Sequence, residues 1–410
     1  MFAPDPSTLS GRLSVPPRPR ATPGAQESRA NLSVPVYEQS LWTSRQRQAS
    51  SIHEVSYRAC FKPQLPRYFI ERLTAAGDAV YDPFSGRGTT AVEAALCGRR
   101  VIANDVNPLS TIFTRPRLEV PEPAAIEERL RTWGKAKRRK ADIDLSMFYH
   151  PDTERELLAL REYLLAKERD GTEDAADRWI RMVATNRLTG HSPGFFSVYT
   201  LPPNQATTPE NQIRINRKLK QKPEYRDTRS LILKKSAQLL GRLEAAHLAA
   251  LRAAAGTALL LQHSAAETRQ IRTASVQLTV TSPPFLDVVH YARDNWLRCW
   301  FNGLDADTIG AGITMSRTVE EWSAAMSCVF SELYRITRRG GWVAFEVGEV
   351  RRGRVRLEEI VVPLAATAGF ECEAVLINAQ KFTKTANIWG VRNNSQGTNT
   401  NRIVLLRKTK

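Results

Sequence analysis

Ala79-Val80-Tyr81-Asp82-Pro83-Phe84-Ser85-Gly86-Arg87-Gly88-Thr89-Thr90 is the stretch on which the fold class of this chain turns. It joins an apolar strand, an acid, two glycines one residue apart and threonines suited to open a helix. A helical run from Ala91 to Cys97 follows, and Gly98 closes it. The glycines let backbone come close to a ligand. Arg100-Val101-Ile102-Ala103-Asn104-Asp105 reads as the next strand and ends in an acid. A dinucleotide-type fold holds ribose hydroxyls with an acid at the end of its second strand, roughly 20 residues past the glycine loop, and Asp105 fits that place. A lone Gly-x-Gly also occurs in ordinary tight turns; the acid at this distance separates the two readings.

A second motif, Thr281-Ser282-Pro283-Pro284-Phe285, follows the alternating apolar run Ala274 to Val280. Two successive prolines neither extend a sheet ladder nor begin an ordinary helix turn, so the backbone is rigid and its carbonyls point at a fixed place. Ser282 supplies a hydroxyl that donates and accepts, and Phe285 a flat face on which a base can stack. Such a strand end is a pocket for the amino group of an extruded base. By itself it is also a proline-terminated strand with a core phenylalanine.

The pair formed by Asp82 to Thr90 and Thr281 to Phe285 resembles the two core motifs of the S-adenosylmethionine-dependent DNA amino-methyltransferases, which methylate cytosine N4 or adenine N6. Phe61-Lys62-Pro63-Gln64-Leu65-Pro66 stands where that family has a segment closing over the methionine part of the cofactor. Arg338-Arg339-Gly340-Gly341-Trp342-Val343-Ala344-Phe345 resembles its helix, glycine turn and fifth strand. The likeness covers about residues 52 to 110 and 257 to 408. It implies an α/β, Rossmann-like methyltransferase fold with a mostly parallel central sheet and a large, mainly helical insertion between the second and third strands. It further implies S-adenosyl-L-methionine as cofactor, bordered by Phe61, Lys62, Pro63, Asp82, Phe84, Ser85, Gly86, Gly88, Thr89, Asp105, Val106, Asn107 and Ser264. Catalysis falls to Ser282, Pro283, Pro284 and Phe285, and no metal is required.

Composition agrees with a partner that is a polyanion. The 410 residues carry a formal net charge of +17, which suits nucleic acid or an acidic membrane surface. No apolar run approaches a membrane span and no signal-peptide core opens the chain, so a soluble, cytoplasmic protein is expected. Cys60, Cys97, Cys299, Cys328 and Cys372 show no metal spacing, and none follows a proline as a cytosine-C5 nucleophile would. Free thiols are the simplest reading.

Four segments are expected: a Pro/Arg-rich arm over 1–35, a first catalytic part over 36–112, a basic helical insertion over 113–255 and a second catalytic part over 256–410. Within the insertion, Thr153, Thr172 and Thr208 are candidate helix caps, and Glu224 to Ala255 reads as a long helical run. Gly190 to Thr200 is a loop rich in aromatics; Phe195, Phe196 and Tyr199 either contact bases or plug the joint with the sheet. Lys and Arg number 27 against 19 acids from Arg115 to Arg252. They cluster at Lys135 to Lys140 and Arg214 to Lys222, and Lys137, Arg138, Arg139, Arg214, Arg217 and Lys218 are the candidate phosphate contacts to double-stranded DNA. A charge run of this kind is also what a solvated helix face looks like. By analogy with relatives, the insertion is expected to be the target-recognition domain, and a cognate restriction endonuclease a partner of such an enzyme. Trp322, Met326, Val329, Phe330, Leu333 and Tyr334 recur at helical spacing and read as core.

A sulfonium methyl is activated before it meets the protein, so positioning carries the chemistry. The Ser282 hydroxyl and Pro283 carbonyl would accept from the target amine, and a base in a duplex must be extruded to reach them. In the resembled family serine before the double proline accompanies mainly cytosine N4, the expected acceptor; adenine N6, or an amino group of RNA, is the alternative. One departure stands out. Many relatives carry Gly-Asp-Ala after the third strand, whereas this chain has His263-Ser264-Ala265, so Ser264 takes the place of the acid.

Overall fold

The computed structural model describes residues 34–39, 49–57, 60–133, 141–201, 206–284, 291–313, 316, 318–350, 355–379 and 400–410. Most of the N-terminal arm, Lys137, Arg138, Arg139, Phe285 and residues 380–399 lie outside them.

The glycine-loop stretch forms the expected unit: β2 (Ala79–Asp82), a tight turn, and α2 (Thr89–Leu96), leading to β3 (Arg100–Asn104). With β1 (Val36–Gln39), β4 (Leu259–Leu261), β5 (Val276–Thr281), β6 (Thr337–Val347), β9 (Glu371–Ala379) and β10 (Thr400–Arg407) they build one eight-stranded sheet in the order β1-β9-β10-β6-β5-β2-β3-β4. Strands β2 to β6 run parallel to one another, while β10 is antiparallel to both β6 and β9. A short ribbon of β7 (Glu349–Val350) and β8 (Val355–Arg356) follows β6. This mostly parallel sheet with one reversed strand is the α/β, Rossmann-like methyltransferase fold. Every residue of β2 and β5 is buried, as expected of central parallel strands covered on both faces.

The strands divide their side chains between two cores. Val80, Val101, Leu278 and Val280 belong to one, and Tyr81, Ile102, Val276 and Phe345 to the other. The second core is closed by α12 (Val319–Ile336) and α13 (Leu357–Thr367). The first extends through α1 (Gln64–Leu73), α2 and α3 (Leu109–Leu118) into the helices between β3 and β4. These are α4 (Pro123–Thr132), α5 (Pro151–Arg169), α6 (Ala175–Arg187), α7 (Pro209–Leu219), α8 (Thr228–Leu240) and α9 (Ala245–Ala255). Leu160, Trp179 and Ile232 of this stretch share a continuous apolar cluster with the sheet. Between β5 and β6 the chain forms α10 (Tyr291–Phe301) and α11 (Ala306–Gly312) before α12.

Several boundaries differ from the sequence expectation for identifiable reasons. Helix α5 opens at Pro151, which suits a first turn, and His150 accepts from the Asp152 N–H at 3.2 Å. Thr153 instead donates to the Arg226 carbonyl at 3.0 Å. Asp174, not Thr172, caps α6, because Asp177 three residues on completes a reciprocal box. Thr208 caps α7 as expected. The run to Ala255 breaks at Gly241, where a Cβ would sit 2.8 Å from the Ala237 carbonyl oxygen. Helix α12 ends at Ile336, and Gly340 and Gly341 lie inside β6 at a register shift against β5. Phe195 and Phe196 are buried, with the Arg187 guanidinium 3.9 Å from the Phe195 ring centroid, so this part of the aromatic loop plugs the joint.

Gly88 caps α2 with a left-handed φ of +75°, and a Cβ there would come within 2.1 Å of the Thr114 hydroxyl oxygen on α3. Gly88→Ala is therefore expected to lower stability by about 3 kcal/mol from backbone strain and overpacking together. Adding Thr114→Ala should recover part of that loss in thermal melts, and no recovery would place the whole cost in the backbone.

Candidate functional site

Between β2 and β5 the sheet order reverses, since the chain runs from β2 outward to β4 and returns to β5 on the other side of β2. Open α/β sheets leave a crevice at such a point, beyond the carboxyl ends of the strands. Both motifs end there.

Asp82 closes β2 and is 1% exposed. Its Oδ1 accepts from the Thr281 hydroxyl at 2.6 Å and from the Phe84 N–H at 3.1 Å. Its buried Oδ2 has no partner among the described residues. Burial pushes the carboxyl up to about 7, against the pull of the Thr281 and Phe84 donors. The turn that follows needs glycine twice, with φ +52° at Gly86 and +75° at Gly88. Ser85 ties it to β3 by donating its N–H to the Asn104 carbonyl at 3.0 Å.

Asp105 follows β3 and is half-buried. Its Oδ2 accepts from the Gly86 N–H at 2.8 Å and its Oδ1 from the Asn107 N–H at 2.9 Å. Burial raises it to about 6, and those two N–H donors oppose the rise. The carboxylate is thereby aimed by the glycine turn. Asn104 clamps the start of the next loop, with Oδ1 accepting from the His263 N–H at 3.0 Å and Nδ2 donating to the His263 carbonyl at 2.9 Å.

The second motif is held point by point. Thr90 donates its hydroxyl to the Val280 carbonyl at 3.1 Å, and Thr281 reaches Asp82. Ser282 lies close enough to the Glu346 side chain on β6 to pull its carboxyl down. Glu346 is 6% exposed, accepts from Asn401 on β10, and has its carboxyl raised by burial. The Pro284 carbonyl accepts from the Trp322 indole N–H on α12 at 3.0 Å.

A strap over Ser51 to Tyr57 covers the glycine turn. Arg87 donates to the Val55 carbonyl at 2.8 Å, and Arg298 and Asn186 donate to the Ser56 carbonyl at 3.1 and 3.0 Å. Tyr57, 6% exposed, brings its ring to 3.6 Å from where a Gly86 Cβ would be.

These parts enclose a cavity of about 290 Å³. Phe84, Gly86, Asp105, Val106, Ser264, Ser282 and Pro284 line it, as do Tyr57, His263, Ile313, Met326, Cys328 and Val329. Asp82, Ser85, Gly88, Thr89, Asn107 and Pro283 lie close to these residues in the chain without lining the cavity. Asn107 accepts the Leu109 N–H at 3.0 Å at the start of α3, and Thr89 accepts from Arg87 at 3.1 Å. Phe61, Lys62 and Pro63 lead into α1, where the Lys62 carbonyl accepts the Leu65 N–H, rather than lining the cavity. Arg214, Arg217 and Lys218 are exposed on α7. Cavity residues that pattern reading did not assign to the site include Tyr57, Ile313, Met326 and Val329. The α12 stripe is core, as its spacing indicates, but Met326 and Val329 face both core and cavity.

Residues 22–109 match the family described as DNA methylase. Over 77 residues the chain is 32% identical to the type II methyltransferase M.MjaII of Methanocaldococcus jannaschii, covering 18% of this chain and 14% of that protein. Over 73 residues it is 36% identical to the type II methyltransferase M.MvaI of Kocuria varians, covering 17% and 16%. The chain thus spans a small part of the length of these relatives. A solved structure described as a DNA modification methylase of Thermus thermophilus is 21% identical over 34% of this chain and 47% of that one, with a TM-score of 0.21. An S-adenosylmethionine-dependent methyltransferase of Methanosarcina mazei is 9% identical over 83% and 96%, with a TM-score of 0.32. Residues 22–109 thus resemble the DNA methylases, and S-adenosyl-L-methionine is the cofactor which that resemblance implies.

The cavity suits that cofactor. It pairs the Asp105 carboxylate with a wall of Phe84, Val106, Ile313, Met326 and Val329, and Asp82, with its unpartnered buried oxygen, directly precedes Pro83 and Phe84 of the lining in the chain. A ligand with a sulfonium, an ammonium, two ribose hydroxyls and a flat apolar ring system needs both kinds of surface. Among the described residues no cluster of acids, histidines and cysteines could hold a metal, and no helix is long and apolar enough to cross a membrane.

Asp82 also leaves a pH signature. Its folded pKa lies above the ordinary carboxylate value, so its contribution to stability is complete below about pH 4 and is lost as pH rises through about 7. Asp82→Asn keeps the acceptor used by Thr281 and Phe84 but cannot ionise. In thermal melts of the ligand-free protein, the melting point of Asp82→Asn should gain on wild type between about pH 5 and about pH 8. A constant difference across that range would show that Asp82 titrates at its ordinary value.

Proposed function

We propose that this chain transfers the methyl group of S-adenosyl-L-methionine to the exocyclic amino group of a base in double-stranded DNA, with cytosine N4 as the acceptor. The observation that carries the reading is that Ser282 and Pro284 of the second motif line the same cavity as Gly86 and Asp105 of the first. Serine in this motif, rather than Asp or Asn, supports the cytosine branch.

When bound, the cofactor supplies a methyl group already activated as a sulfonium. Asp105 would hold the ribose hydroxyls, and Phe84 with Val106 would flank the adenine. The unpartnered oxygen of Asp82 would face the positive end of the ligand. Tyr57 closes the cavity over Gly86 and keeps water from the reacting atoms.

An amino group attached to an aromatic ring is a weak nucleophile because its lone pair is delocalised. Two acceptors near its protons draw the nitrogen toward a tetrahedral shape and free the pair. Ser282 would direct its own proton to Glu346, which turns the remaining lone pairs of Oγ toward the amine. The Pro283 carbonyl accepts no hydrogen bond from a described residue and would be the second acceptor. Positive charge builds on nitrogen as the methyl group arrives, so both contacts strengthen in the transition state. The N–H bond then breaks: Ser282 Oγ takes that proton as its own passes to Glu346, a carboxyl made more basic by burial. A paired base is out of reach of this cavity, so the target would be extruded, with Phe285 offered as its stacking face. Arg214, Arg217 and Lys218, exposed on α7, would contact phosphate, together with Lys137, Arg138 and Arg139.

Incubation with tritiated S-adenosyl-L-methionine and unmethylated genomic DNA should label the DNA, and digestion to nucleosides should yield N4-methylcytosine. N6-methyladenine would move the acceptor to adenine, and equal labelling of RNA would move the substrate class. Ser282→Ala should bind cofactor in calorimetry with wild-type affinity and lose about 10²-fold or more in transfer. Unchanged turnover would remove Ser282 from the mechanism.

A further inference from the structure

Three hydrogen bonds, from three different elements, hold the end of β5 and the turn after it. The Val280 carbonyl is fixed by Thr90 of α2, the Thr281 hydroxyl by Asp82 of β2 and the Pro284 carbonyl by Trp322 of α12. The first two hold the strand itself. The third reaches across from the helix that lines the cavity.

Prolines bring no N–H, so Pro283 and Pro284 offer only the directions of their carbonyls. Each peptide unit is planar and φ is locked by the ring, which leaves little besides ψ to set those directions. Fixing the Pro284 carbonyl therefore constrains the orientation of the unit before it. Trp322 is 1% exposed, and its indole N–H has a single proton to give. It gives that proton to this carbonyl at 3.0 Å. One and two turns further along α12, Met326 and Val329 form part of the cavity wall. One rigid helix thus touches both the catalytic turn and the cofactor cavity.

We propose that Trp322 is a positioning residue for methyl transfer: its indole N–H fixes the Pro284 carbonyl so that the Pro283 carbonyl and Ser282 Oγ converge on the acceptor amine. This rests on the amino-methyl transfer proposed above. The competing role is plain packing, since Trp322 is also among the largest buried side chains of its core. The two roles separate because one needs the N–H and the other only the ring.

Trp322→Phe keeps an aromatic ring and removes the donor. Leu333→Ala, three turns further along α12 in the same core and away from the cavity, weakens packing without touching the turn. Single-turnover methyl transfer to unmethylated genomic DNA, calorimetric affinity for S-adenosyl-L-methionine and melting temperature are measured on the full chain of each. Trp322→Phe is expected to slow the single-turnover rate about tenfold or more while its cofactor affinity stays within about twofold of wild type. Leu333→Ala is expected to melt lower and react at the wild-type rate. Equal single-turnover rates for Trp322→Phe and wild type would overturn the assignment, as would a Leu333→Ala protein slowed as much as Trp322→Phe. A wild-type chain that binds cofactor and labels no DNA would instead overturn the reading on which the assignment rests.

Discussion

The hydrogen bond from the Thr281 hydroxyl to Asp82 Oδ1, 2.6 Å long and wholly buried, is the contact on which the site depends. It joins the last residue of β5 to the last residue of β2 across the point where strand order reverses. The glycine turn leaves from one side of this bond and the double proline from the other. Because both partners are strand ends in a sheet covered on both faces, the separation of the two motifs is set by strand spacing and not by loops. Asp82 is poorly placed for stability, having one oxygen without a partner and a carboxyl that burial holds near 7. Sites of this kind commonly sacrifice some stability for geometry.

The strap over the glycine turn follows a different logic. Residues 51 to 57 include only a short 3₁₀ turn, so most of their carbonyls find no partner in regular structure. Side chains take over that role. Arg117 donates to the Ile52, Phe113 and Arg87 carbonyls, Arg87 to those of His53 and Val55, and Arg298 with Asn186 to that of Ser56. Arg117 is fully buried, and burial lowers its guanidinium to about 9, helped by the charge of Arg87. A fork of planar donors suits this task better than an ammonium would, since it reaches several carbonyls at fixed angles. His53 adds a second attachment through Glu93 at 2.6 Å, and Arg67 holds the other oxygen of that carboxylate at 2.6 Å. The wall formed by Tyr57 is thus as well anchored as the strands beneath it.

Much of this was legible in the sequence, and the parts that were not share a cause. The strand, turn and helix from Ala79 to Leu96 follow from local patterns: an apolar run, two glycines whose φ must be positive, and a helix-forming run closed by glycine. Asp105 was legible because its distance from the turn is fixed by the length of one helix and one strand. Glu346 was not. It sits in an apolar strand as an isolated acid, and only the pairing of β5 with β6 and of β10 with β6 brings Ser282 and Asn401 to it. Trp322, Met326 and Val329 keep helical spacing whether they face core or cavity, so periodicity cannot divide them. The strap is the clearest case. Its hydrogen bonds come from residues up to 242 positions away, and no local window contains them.

Charge is arranged on two scales that oppose each other. The chain as a whole carries +17, a field suited to a polyanion, whereas the centre of the site holds two acids, Asp82 and Asp105. Left fully ionised, this pair would repel any phosphate brought near the crevice. Burial holds both carboxyls above their ordinary range, at about 7 and about 6, so near neutrality the pair carries less negative charge than two exposed acids would. A ligand with a sulfonium and an ammonium favours the ionised form of both and cancels the charge it induces. On the proposed reading, the negative charge of the cavity is then largest when the cofactor is there to balance it, and the rim stays compatible with a nucleic acid in either state. Placing the acids deep, behind Gly86 and beneath Tyr57, is what allows a basic surface and an acidic centre to coexist within one crevice.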